Sequence, residues 1–574
     1  MAEGSYWQRV QRARYDRRAV VRGGALTGVG LAAAGLVGCG SSNNNNKNSS
    51  TSAATKSASS AAGAPSSGSS PAAVASAAAA QPKPGGVVSL PVSSDPQALD
   101  IHQVSTYVAV WPEAPCYNQL LQFDPNDETD SKIIADLADK WETPDNGLSY
   151  IFHLHPGIKF HDGTPFTSAD IKANLDWIKT PANKKPSPRS GVLGSITGIE
   201  TSDANTVTIK LSQPNPSLLF NLASDYFAIG PKAVIDSAGD LGDKLIGTGP
   251  FKLKSYQRGN SVLLEKNPNY WVSGRPYLDG LNFYIVPDLN TSFTNFLGGQ
   301  YQQYQDITAE NVGRVKSETG GKAEVVPIGS YTRQVVFFNT KKKPWDDIRV
   351  RQAVSLALDR GDAINTVQGG FGELGGYMRS SGNWGLPVDQ LKAIPGYDKS
   401  NIDQAKALLQ QAGVQTPIKG TLLSRNDFTG IFTWTQQALT KIGINLDLDP
   451  RDNAAAYDAA YGGQFDLMAW TVSIVIDDPD ATFAEISTSK AVRNWSALND
   501  AEIDSLYAAQ TKELDNAKRK QIVNQMDKKA LSIFQTVHLY FIKYNEGLYT
   551  NLKDFKFHAS LYTDRRLQDA WLAK

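Results

Sequence analysis

The sequence predicts a two-lobed α/β fold with α+β portions, and three observations lead there. The first is that Gly147–Phe160 and Ile199–Leu211 alternate apolar and polar residues around turn signals, as antiparallel strands do. The second is that from about Tyr331 onward short apolar runs alternate with helical patterns of about a dozen residues, the pattern of a parallel, doubly wound lobe. The third is length: a low-complexity stretch ends near Gly85 and leaves about 490 residues, enough for two or three bodies with a sizeable core.

The N-terminus is organised for export. Gly23–Gly38 is apolar or small but shorter than the roughly 20 residues a membrane span needs, so it reads as a signal segment. Leu36-Val37-Gly38-Cys39 forms a lipobox, in which small residues give a peptidase access and the Cys39 sulfur is the lipid-accepting nucleophile. Asp16-Arg17-Arg18-Ala19-Val20-Val21-Arg22 is similar to a twin-arginine export signal, and similarity to bacterial lipoproteins places the mature chain outside the cytoplasm on acyl chains. Residues 1–38 are then the signal peptide and 39–84 a lipidated Cys39 with a tether. Gly40–Ala80 is almost entirely Ser, Asn, Ala, Thr and Gly and buries too little to fold.

Charge and cysteine usage exclude several classes. Fifty-seven basic residues balance 57 acidic ones, so no basic footprint for nucleic acid is present. After lipidation only Cys116 remains, which rules out an intrachain disulfide. The sequence has no Walker loop, no Gly-x-Ser-x-Gly elbow and no zincin motif. Gly370-Phe371-Gly372-Glu373-Leu374-Gly375 fits a dinucleotide pattern but follows a helix instead of a strand. His153, His155 and His161 surround one predicted hairpin without the three or four ligands zinc usually takes, and Asp447-Leu448-Asp449-Pro450 lacks a calcium loop's glycine and glutamate. No cofactor or metal is expected.

The elements follow in order. Val87–Val92 opens the body as an apolar run. Tyr150, Phe152 and Leu154, then Ile158 and Phe160 after His155-Pro156-Gly157, predict a hairpin; Thr167 and Asp170 form a capping box for a helix carrying Ile171, Leu175 and Ile178. Val207 and Ile209 belong to a second hairpin. Gln334–Asn339 is a short strand, and Asp347 caps a helix with Val350, Val354, Ala357 and Leu358. Gly413 stops the helix begun near Ile402. Strands at Thr421–Leu423, Asn445–Leu448 and Phe465–Thr471 then alternate with helices at Phe428–Ile442 and Ala454–Tyr461.

Several motifs, in order along the body, resemble the family 5 extracellular solute-binding proteins. They include Gly85-Gly86-Val87-Val88, Tyr117-Asn118-Gln119-Leu120-Leu121, Lys159-Phe160-His161-Asp162-Gly163-Thr164-Pro165-Phe166-Thr167, Gly247-Thr248-Gly249-Pro250-Phe251, Asn267-Pro268-Asn269-Tyr270-Trp271 and Arg349-Val350-Arg351-Gln352-Ala353-Val354. The resemblance implies a periplasmic-binding-protein (Venus-flytrap) fold of class II, cluster C, with an extra subdomain. Residues 85–120, 228–333 and 540–574 would form the first lobe, 121–227 an inserted subdomain, and 334–539 the second lobe. It implies a monomer without enzymatic activity that captures a solute, most often an oligopeptide or dipeptide, and presents it to the permease and ATPase subunits of an ABC importer. An oligosaccharide or a nickel complex is the alternative solute; a lipid-anchored hydrolase and an adhesin are more distant readings.

Most of these motifs read as architecture: Asp162-Gly163 as a turn, Thr167 as a cap, Gly247–Phe251 as a tight entry to a strand. For the solute site the resemblance implies Tyr107, Tyr117, Asn118, Asn426 and Trp434, together with Trp470 at the cleft and the loop after it. Typical peptide binders of the family carry an aspartate three residues after the tryptophan matching Trp470, which pairs with the peptide ammonium; here the position is Ser473. Either Asp477 or Asp478 supplies that charge, or no ammonium is bound.

Overall fold

The structure, a computed structural model, describes residues 81–573 apart from 128, 131, 181–186, 243 and 427. The expected signal peptide, the expected lipidation at Cys39 and the expected tether up to residue 80 lie outside the described residues. Among the described residues no helix is long and apolar enough to cross a membrane.

The first body is built on a four-stranded sheet ordered Val87–Val92, Gly280–Ile285, Ser261–Lys266, Phe251–Gln257. Val87–Val92 runs parallel to Gly280–Ile285 and the other pairs are antiparallel. Alternation decides the faces: Val88, Leu90 and Val92 point inward and are buried, whereas Val87 is exposed. The turn into Phe251–Gln257 needs its glycines, because a Cβ on Gly249 would stand 2.4 Å from the Cys116 and Tyr117 backbone.

A second, antiparallel four-stranded sheet holds Ala138–Glu142, Ser149–Leu154, Thr206–Leu211 and Ile196–Asp203 in that order. The helix Ser168–Lys179 covers it, starting at the predicted Thr167–Asp170 capping box and burying Ile171, Leu175 and Ile178. The predicted Ile199–Leu211 hairpin is present. The predicted Gly147–Phe160 hairpin is not: Ser149–Leu154 pairs with Ala138–Glu142 on one edge and Thr206–Leu211 on the other, leaving no edge for Ile158–Phe160. Lys159 makes an isolated bridge to Pro165 instead. This sheet and the first share one hydrophobic core.

The second body is a seven-stranded sheet, ordered Gln303–Tyr304, Thr536–Tyr549, Ala323–Phe338, Leu467–Ser473, Ile418–Arg425, Ile444–Arg451, with Gly372–Glu373 also on Thr536–Tyr549. It is mixed, not wholly parallel as the alternation predicted. Ile418–Arg425 is parallel to both its neighbours: the helix Thr429–Thr440 crosses over from it to Ile444–Arg451, and the helix Asn453–Tyr461 crosses from there to Leu467–Ser473. Ala323–Phe338 and Thr536–Tyr549 are antiparallel to each other, and Ala323–Phe338 to Leu467–Ser473. Helices cover both faces: Val336 and Phe338 pack with Val350, Val354 and Ile431, while Val335 and Phe337 pack with Ala456, Ala459 and Trp495.

The two bodies are joined by a ribbon. Ala323–Phe338 has 16 residues, far longer than the predicted Gln334–Asn339, and pairs with Thr536–Tyr549 from end to end, with register shifts between Gly329 and Arg333 and between Gln334 and Val335. At the lower end Gln303 and Tyr304 pair with Leu548 and Gly547, and Gln302 exchanges hydrogen bonds with Ser89 of the first sheet. At the upper end the same two strands are the middle of the second sheet. The result is two bodies, one ribbon and a cleft.

Candidate functional site

The cleft holds a cavity of about 430 Å³. Ser105, Arg189, Asn221, Ser224, Tyr226 and Tyr562 line it from the first body, and Ser473, Ile474, Ile476, Ala481, Glu485 and Arg493 from the second. An adjoining cavity of about 500 Å³ shares Val192, Asn221 and Ala481 and extends toward Gln213, Asp480, Tyr507 and Lys512. A third, of about 210 Å³, lies among Tyr107, Tyr304, Asp306 and Tyr544.

Local structure fixes the charged groups in the first cavity. Arg189 precedes the 3₁₀ turn Ser190–Leu193, and its guanidinium carbon sits 3.8 Å from the Tyr226 ring centroid. Tyr226 stacks in turn on Tyr562, centroids 5.2 Å apart, so an aromatic pair holds the cation. Opposite, Pro479–Ile486 is a helix with Pro479 in its first turn and Asp478 as its cap. Ala481 and Glu485, four apart, therefore share the face that meets the cavity. Glu485 Oε1 lies 2.8 Å from Arg493 Nη1. Burial raises the Glu485 carboxyl above its ordinary range, against the pull of Arg493, Arg333 and Arg189. Arg333 stands behind this wall, fully buried, and none of its guanidinium nitrogens has a hydrogen-bond partner among the described residues. Its guanidinium is lowered to about 10 by burial.

The predicted site residues separate into two groups. Ser473 is exposed and lines the first cavity, its hydroxyl 2.9 Å from Thr332 Oγ1. Tyr107 lines the third cavity and packs edge-on against Trp111, centroids 5.6 Å apart. The others line none of the three cavities. Tyr117 is buried under Gly247, and Asn118 is a buried hub that donates to Asp136 at 2.9 Å and accepts from Thr248 at 3.0 Å. Asn426 is exposed beside Arg451, to whose carbonyl its N–H donates. Trp434 faces the core and donates its indole N–H to Asp362 at 2.7 Å.

Trp470, expected at the cleft, lines none of the three cavities. It lies within the strand Leu467–Ser473, on the face packed by Phe428, Tyr457 and Trp495, with 0% of its surface exposed. Asp477 and Asp478, the two acids expected to offer an ammonium anchor, line none of the three cavities either. Asp477 turns away from the cavity: its Oδ2 accepts the Asn383 N–H at 3.2 Å, its carbonyl accepts the Trp384 indole at 2.8 Å, and burial pushes its carboxyl up to about 7. Asp478 is fully buried in a two-pronged salt bridge to Arg519, both contacts 2.8 Å. A carboxylate so engaged has no free face for a solute.

Arg189, Glu485, Arg493, Tyr226 and Tyr562 went unnoticed in the sequence. For Glu485 a signal existed, since a helix capped at Asp478 carries residues 481 and 485 along one side. For Arg189 none did, because its placement depends on an aromatic pair whose members lie 336 positions apart in the chain, at 226 and 562.

Known proteins fit this architecture. A model of the bacterial extracellular solute-binding proteins, family 5 Middle, matches residues 132–494, more than half of the chain. The glutathione-binding protein GsiB of Pectobacterium atrosepticum is 28% identical over 421 residues, 71% of this chain and 79% of that one. Other GsiB sequences align over 57% of this chain and 62% of their own length. Among solved structures, the ABC transporter substrate-binding protein CtaP of Listeria monocytogenes superposes with a TM-score of 0.75 at 22% identity, over 86% of this chain and 100% of that one. The oligopeptide-binding protein AppA of Bacillus subtilis, in complex with a nonapeptide, gives 0.70 at 24% identity, over 86% and 100%. With the family matched across its middle and the two-lobed periplasmic-binding-protein fold shared along the body, the chain belongs to the family 5 bacterial extracellular solute-binding proteins.

Proposed function

We propose that this chain captures a small peptide in the cleft between its two bodies and hands it to the permease and ATPase subunits of an ABC importer, without catalysing a reaction. The observation that carries the reading is the pair of adjoining cavities, about 430 and 500 Å³, walled by both bodies at once. A solute filling them touches both walls, and so binds the closed arrangement better than an open one, which is the condition for a ligand to shift that equilibrium. The names of the relatives support peptide-like solutes, glutathione among them. The lipobox at Cys39 supports a lipid-anchored protein on the outer side of the membrane, exported through the arginine pair Arg17-Arg18.

Native mass spectrometry of protein purified without denaturation tests this by the mass of what co-purifies. A peptide-like solute should also raise thermal stability, by about 2.7 kcal/mol at a hundredfold excess over Kd. A panel of di- to pentapeptides and glutathione that neither co-purifies nor shifts the melt would overturn the peptide reading.

A further inference from the structure

The charges around the first cavity do not balance. Arg189 and Arg493 line it with one carboxylate, Glu485, and Glu485 is already ion-paired to Arg493 at 2.8 Å. Arg189 has no carboxylate within ion-pairing distance among the described residues, and its Nε has no hydrogen-bond partner. The Tyr226 ring beneath it holds the guanidinium in place without neutralising it. Buried Arg333 adds a further cation close to Glu485. The acids that could have answered are committed elsewhere: Asp477 to Asn383, Asp478 to Arg519, and Asp480 faces the adjoining cavity with Tyr507 hydrogen-bonded to it. Ser473, exposed on the cavity wall, adds a neutral hydroxyl and no charge.

We propose that the cleft selects solutes by a free carboxylate, which Arg189 receives in the first cavity, in place of anchoring them by an ammonium group. This rests on the peptide reading above and names the chemical feature recognised. A guanidinium presents a planar fork that a carboxylate matches with two parallel hydrogen bonds, and a partly desolvated site strengthens both. Because Arg189 belongs to one body while Arg333 stands behind the neutral Glu485–Arg493 pair of the other, a bound acid group also meets a net positive wall on both sides as the cleft closes. A solute with that end blocked leaves Arg189 enclosed and unpaired, so discrimination comes from the cost on the protein side as much as from the bond gained.

Isothermal titration calorimetry on the purified full chain tests it with two matched pairs of probes: tetra-alanine against its C-terminal amide, and glutathione against its diethyl ester. Wild type should bind the free acids about 10- to 100-fold more tightly than the blocked forms, the range expected of a hydrogen bond to a charged group. Arg189→Gln should lose most of that difference by weakening the acids alone, and Arg189→Lys should keep part of it. The wild-type comparison needs no substitution, and ligand-free melting of both variants within a degree or two of wild type separates recognition from misfolding. Equal binding of acid and blocked forms by wild type, or equal weakening of both by Arg189→Gln, would overturn the inference while leaving peptide capture standing. Failure of wild type to bind any of the four probes would bring down the peptide reading and this inference with it.

Discussion

Asp478→Asn is the substitution that most sharply divides ligand anchoring from architecture. Asp478 meets both terminal nitrogens of Arg519 at 2.8 Å, accepts the Ser217 hydroxyl at 2.7 Å and the Asp480 N–H at 2.8 Å, and both ionic side chains have no exposed surface. Asparagine keeps the helix cap and the shape but removes the charge, leaving a guanidinium buried against Gln510 and the Trp384 ring. Breaking one side of a buried pair costs about 3–5 kcal/mol, mostly the stranded charge. Against a net stability of about 5–15 kcal/mol for a typical domain, that is a large share. Urea and thermal unfolding of ligand-free protein should therefore show a strongly destabilised variant, and Asp478→Asn with Arg519→Met should recover much of the loss because no cation is left behind. Calorimetry with a free-amine peptide and its N-acetylated form should show no selective effect. Unchanged unfolding together with selective loss of the free-amine peptide would refute the reasoning and return Asp478 to the solute.

Trp470→Ala should cost about 3–5 kcal/mol in unfolding as a core truncation and leave peptide affinity within about twofold; loss of affinity without loss of stability would contradict its placement. Gly249→Ala, whose Cβ would meet backbone 2.4 Å away, should destabilise by about 1–3 kcal/mol, read as a fall in the urea midpoint. His558 lies 2.5 Å from Asp130 and 3.3 Å from Asp564, and these acids raise its imidazole to about 10 despite burial. Its folded value exceeds the unfolded one near 6.5, so its contribution is complete below about pH 6.5 and is lost as pH rises through about 10; urea midpoints across that window should fall, and His558→Gln should flatten the slope. Cys39→Ser should abolish acylation, checked by the mass of the membrane-extracted protein.

The pattern of the sequence was sufficient where structure is local. The Thr167–Asp170 capping box, the Asp347 cap and the two crossovers around Ile418–Arg425 are each contained within about thirty residues, and each is present. It failed where partners are distant. Ser149–Leu154 gave a clear alternation but not its neighbours, and the alternation of Ile158 and Phe160 imitated one. Pro327 and Gly329 interrupt the apolar run of Ala323–Phe338, hiding a strand whose partner begins some two hundred residues later. The site was partly legible: Ser473 faces the cavity, and the loop after it supplies Ile474 and Ile476. Trp470 misled because a large amphipathic ring suits a cleft and a core equally well, and here both faces of its strand are covered.

The last stretch of the described chain has a bearing on the order of events during synthesis. Leu561 accepts the Trp111 indole, Arg566 pairs with Asp136, Gln568 accepts the Tyr270 hydroxyl, and Trp571 and Leu572 pair with Leu552 and Lys553 beside Gly86. Early segments of the body are thus sealed by segments made several hundred residues later. The first body cannot be completed before these late segments emerge, so the strand Val87–Val92 stays unsealed until more than four hundred further residues have been added.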